Sequence, residues 1–93
     1  MRKPDITKLT NLANQMSDVV SDLTPLVDYL ESVANEHGKM YNGHSDKWKD
    51  GDSGKAAKEI VDSLDKAYGD AATAMGSMLD AALEIRQLLD LQS

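Results

Sequence analysis

Ninety-three residues with no cysteine and no phenylalanine describe one small domain at most, without disulfides or thiolate metal sites. Sixteen acidic residues against ten basic ones give a formal charge of -6, which argues against a nucleic-acid backbone or an anionic membrane as the main partner. The longest apolar run, Ala81-Ala82-Leu83, is too short for a signal-peptide core or a membrane span, so the expectation is synthesis in the cytoplasm as a soluble protein without a signal peptide.

The first element is a helix. Apolar residues fall at Ile6, Leu9, Ala13, Met16, Val20, Leu23, Val27, Leu30 and Ala34, in steps that alternate three and four. That spacing marks one face of a helix at heptad register. A second stripe, Leu12, Val19, Leu26 and Val33, runs beside it. Asp5 after Pro4 is placed to cap the start. Pro25 removes a backbone donor and is expected to bend the helix, on the side opposite the apolar face. Gly38 and Asn42-Gly43 look like stops, yet the same register carried forward reaches His37, Tyr41, His44 and Trp48, with Met40 on the flanking stripe. A downstream helix of about forty residues, roughly 60 Å long, would also leave a shorter first arm outmatched. Helix 1 is therefore expected over about residues 5–48.

A breaker, Lys49-Asp50-Gly51-Asp52-Ser53-Gly54, supplies a turn over about 49–53, with Asp52 or Ser53 able to cap the second helix. Helix 2, about 54–91, repeats the pattern: one stripe of Val61, Leu64, Tyr68, Ala71, Met75, Met78, Ala82, Ile85 and Leu89, and beside it Ile60, Ala67, Ala74, Ala81 and Leu88. The expected fold is all-α, a single antiparallel helical hairpin spanning 1–93 and assembling as a four-helix-bundle dimer. Leu9, Met16, Leu23 and Leu30 would meet Leu64, Ala71, Met78 and Ile85 in the hairpin core. The flanking residues of both arms exceed what two helices can hide between them and would form a partner interface.

The turn also carries a likeness. With about a hundred residues, two long helices and a Trp just before a Gly turn near the midpoint, the chain resembles the WXG family of type VII secretion substrates, the Esx-like proteins. Two residues separate Trp48 from Gly51, where the family pattern has one. The family's Tyr-x-x-x-Asp/Glu export signal finds no match at Tyr68, followed four on by Ala72, or at Tyr41, followed by Ser45, so a partner is expected to supply it. The resemblance implies a non-enzymatic secretion substrate or targeting partner, a chaperone of sorts. It would pair with itself, with a related small helical protein or with the helical leader of a type VII toxin, and would engage a secretion ATPase indirectly. It implies possible secretion by that system and assigns Trp48 and Gly51 to the turn motif, with Trp48 contributing to a composite surface or closing the apolar end. An intracellular adaptor or inhibitor built on the same hairpin, such as a regulator, an anti-toxin or a phage-encoded protein, is the alternative.

Other motifs carry no chemistry. Gly51-Asp52-Ser53-Gly54 lacks the base, acid and oxyanion hole that a serine nucleophile needs. Gly54-Lys55 lacks the hydroxyl and the first glycine of a phosphate loop. His37 and His44 lie about 10 Å apart along a helix, too far to share one metal. The pairs Asp18/Asp22 and Asp46/Asp50 read as solvated surface, and Met16, Met40, Met75 and Met78 read as packing residues. No catalytic group, cofactor or metal site is expected.

Overall fold

The computed structural model describes residues 1–92. Among these the chain is all-helical: α1 (Lys3–Asn42), α2 (Asp46–Asp50) and α3 (Asp52–Leu91), with α1 and α3 packed against each other as a helical hairpin. No helix is long and apolar enough to cross a membrane. Contacts group into two compact units, Met1–Pro25 with Thr73–Ser93 and Leu26–Ala72.

In the first unit, α1 opens with Pro4 in its first turn, where the missing N–H costs nothing. Asp5, expected as the cap, instead lies inside that turn and accepts from the Arg2 guanidinium at 3.1 Å. A carboxylate there suits the positive end of the helix dipole. The buried apolar residues of this unit are Ala13, Val20 and Ala82, all on the predicted seam. Leu9, Met16, Met78 and Ile85 are half-buried beside them. Leu23 departs from its expected core role and is 37% exposed.

In the second unit, Ala34 is buried on the same seam, with Leu30, Leu64, Tyr68 and Ala71 half-buried around it. The first arm stops at Asn42 rather than near Trp48. Gly43 N–H closes onto the Lys39 carbonyl at 3.0 Å and His44 N–H onto Tyr41 at 3.2 Å. Ser45 then takes an extended conformation and its hydroxyl accepts from Trp48 N–H, capping α2. A competing N-cap next to a poor helix former ends the longer helix. The length mismatch that favoured extension does not arise: α1 and α3 each hold 40 residues.

The glycine that the turn requires is Gly54. It is buried, and a Cβ there would overlap the Trp48 carbonyl oxygen and the Lys49 backbone. Gly51, expected to be the key turn glycine, has φ -80° and ψ 176°, open to any residue, and only ordinary contacts at its Cβ position. α3 begins directly after it, with Lys55 N–H donating to the Gly51 carbonyl at 3.0 Å.

Across the whole chain, no large side chain among the described residues is fully buried. Gly76, in α3, has nothing within 4 Å of its Cβ position. Two substitutions should therefore act with opposite sign. Gly54→Ala should cost about 1–3 kcal/mol by overpacking, and Gly76→Ala should add about 0.5–1 kcal/mol of helix stability. Thermal unfolding followed by circular dichroism checks both.

Candidate interaction surface

The two sides of the helical seam differ in chemistry within each unit. In the unit Met1–Pro25 with Thr73–Ser93, Arg86 reaches from α3 to α1 along one side. Its Nη2 donates to Ser17 Oγ at 2.9 Å, to the Ala13 carbonyl at 3.3 Å and to Asn14 Oδ1 at 3.4 Å. A guanidinium with three acceptors closes that side with polar contacts. The predicted flanking stripe lies away from it. Leu12, Val19 and Leu88 are each more than 40% exposed, Ala74 is exposed and Ala81 is half-buried.

In the unit Leu26–Ala72, Tyr68 and Glu31 hold the polar side. The Glu31 carboxylate accepts from the Tyr68 phenol and its charge disfavours a phenolate, raising the phenol above its ordinary 10.0. This contact is lost as pH rises past the raised value. The flanking residues Leu26, Met40, Ile60 and Ala67 are exposed, Leu26 at 64%, and Val33 is half-buried. Met40 of α1 and Ile60 of α3 line one groove, so the flanking stripes of the two arms share a side. A shallow depression beside it is walled only by α3, at Ala56, Glu59, Ile60, Ser63 and Leu64.

The turn closes this groove with aromatic rings. His44 stacks on Trp48 with centroids 3.7 Å apart and planes 15° from parallel. Tyr41 leans on Trp48 at 6.3 Å, and Lys49 Nζ stands 5.2 Å above the Tyr41 ring. Trp48 is half-buried and lines the groove. His37 lines the same groove as His44. Among the described residues no group of three or more acids and histidines is placed to hold a metal.

The sequence pattern missed some exposed apolar residues: Leu79 and Leu83 on α3, Tyr29 on α1, and Leu91. The four-residue step from Leu79 to Leu83 was the available signal for a further patch. It went unassigned because neither residue continues a seven-residue stripe.

No family model matches the chain, and neither curated proteins nor solved structures give a match to it.

The ring stack is testable with the protein's one tryptophan. His44→Ala should weaken the near-ultraviolet circular dichroism of Trp48 and cost about 0.5–1.5 kcal/mol, with far-ultraviolet helicity unchanged. An unaltered Trp48 signal would show that the imidazole does not order the indole.

Proposed function

We propose that this chain is a non-enzymatic, Esx-like helical hairpin, a type VII secretion substrate or targeting partner. It acts by laying its exposed flanking stripe against another helical chain and so completing a four-helix bundle. The observation that carries this reading is the exposure of flanking-stripe residues within each unit, Leu12, Val19 and Leu88 in one and Leu26, Met40 and Ile60 in the other, on a chain that fully buries no large side chain among those described. Surface Leu, Ile and Val aligned on one side of a seam are an interaction surface in waiting, because leaving them in water forfeits roughly 1.5–3 kcal/mol for each side chain that could be buried. The half-buried Trp48 and its groove extend that surface to the turn. The likeness to the WXG family in length, helix pairing and Trp position supports the secretion role.

Replacing Val19 or Leu26 by Asp puts a charge where an apolar contact would be desolvated. Either variant should weaken association with the helical partner by about tenfold or more, equivalent to about 1.4 kcal/mol, and leave helicity near wild type. Equal association would remove the flanking stripe from the interface. Trp48→Ala should keep the helical fold and reduce export, or delivery of a co-expressed effector, in a host that carries the secretion machine. Wild-type export would take Trp48 out of the functional surface, and retention of the protein in the cell alongside its partner would favour the intracellular adaptor.

A further inference from the structure

The residues that border the flanking stripe specify which kind of helical partner it takes, given the pairing role proposed above. Side chains three or four places from a stripe residue share its side of the helix. In the unit Met1–Pro25 with Thr73–Ser93, Asp22 lies three residues beyond Val19 and Glu84 three beyond Ala81, and the one base on this border is Lys8, four before Leu12. In the unit Leu26–Ala72, Glu36 lies three beyond Val33 and Asp70 three beyond Ala67, with no Lys or Arg on the border. All four carboxylates are exposed. Asp70 is held by Lys66 at 2.9 Å. Asp22, Glu36 and Glu84 have no ion-pair partner among the described residues. Most of the remaining bases lie away from this border, as with Arg86 on the opposite, polar side and Lys47 and Lys49 in the turn helix.

A second copy placed face to face on this stripe would bring the same acids and one lysine. Symmetric pairing matches a surface with itself, so no two-fold arrangement could neutralise the border. We infer that the partner is a different chain, one whose apolar helix face is bordered by Lys and Arg, and that the acidic border of this chain disfavours self-pairing. The apolar stripe supplies contact area and the border supplies the choice of partner.

A charge-reversed copy stands in for that partner, because it keeps the same apolar stripe and carries Asp22→Lys, Glu36→Lys and Glu84→Lys. Sedimentation velocity is run on wild type alone, on the reversed copy alone and on their equimolar mixture, at about 0.05 M and about 1 M salt, the latter cutting the screening length to about 3 Å. Circular dichroism confirms that the reversed copy is helical. The expected result is a one-to-one complex in the low-salt mixture, at least about tenfold tighter than either self-association. Salt should weaken that complex and strengthen wild-type self-association. Wild type pairing with itself at low salt as tightly as with the reversed copy would overturn the inference and leave the pairing role standing. No association in any sample at either salt would overturn the pairing role itself.

Discussion

Two helices laid side by side share one seam and nothing beneath it. A side chain on that seam is covered by its neighbours on two helices but has no third layer behind it. Burial in this chain obeys that geometry closely. The residues that vanish from solvent are Ala13, Val20, Ala34 and Ala82, small enough to be enclosed by a pair of backbones. Leu9, Met16, Leu30, Leu64, Met78 and Ile85 are larger, occupy the same stripe and stay half-buried. Hydrophobic stabilisation scales with area removed from water, so a seam of half-covered side chains contributes much less than its composition would suggest. Small domains sit near this margin already.

The same constraint divides the surface. Each unit has a polar side, made by Arg86 with Ser17, Asn14 and the Ala13 carbonyl in one and by Tyr68 with Glu31 in the other. Those contacts satisfy the chain internally. The flanking stripe has no equivalent closure and presents aliphatic side chains to water. At the turn, Ser45 caps a five-residue helix that sets Trp48 against His44 and Tyr41, and Gly54 lets the start of α3 approach the Trp48 carbonyl. The cap and the close backbone contact together set the aromatic cluster at the turn.

Much of this was legible in the chain because heptad periodicity reports directly on which side of a helix faces a neighbour. Both long helices, the seam stripe and the exposure of Leu12, Val19, Leu26, Ile60 and Leu88 are consequences of spacing alone. Spacing does not report where a helix stops. The register passes through Gly43 and Ser45 to Trp48, and only the Ser45 hydroxyl, competing locally for the Trp48 N–H, shows why α1 ends at Asn42. Nor does it say which glycine a turn needs. Gly51 drew attention by its distance from Trp48, whereas the demand falls on Gly54 through a backbone approach between α2 and α3 that no linear pattern encodes. Leu23 shows a third limit: its position fits the seam, yet it is 37% exposed. The exposed stripe was legible as an excess of apolar width, and the acids that border it stood out only once the stripe was known to be exposed.

The central claim is that the chain by itself lacks the buried apolar area of an independent domain. Urea unfolding of the protein, diluted until sedimentation shows a monomer, measures this directly. The account predicts an unfolding free energy of about 3 kcal/mol or less, below the range of about 5–15 kcal/mol usual for native proteins. A cooperative monomer whose stability falls inside that usual range would contradict it.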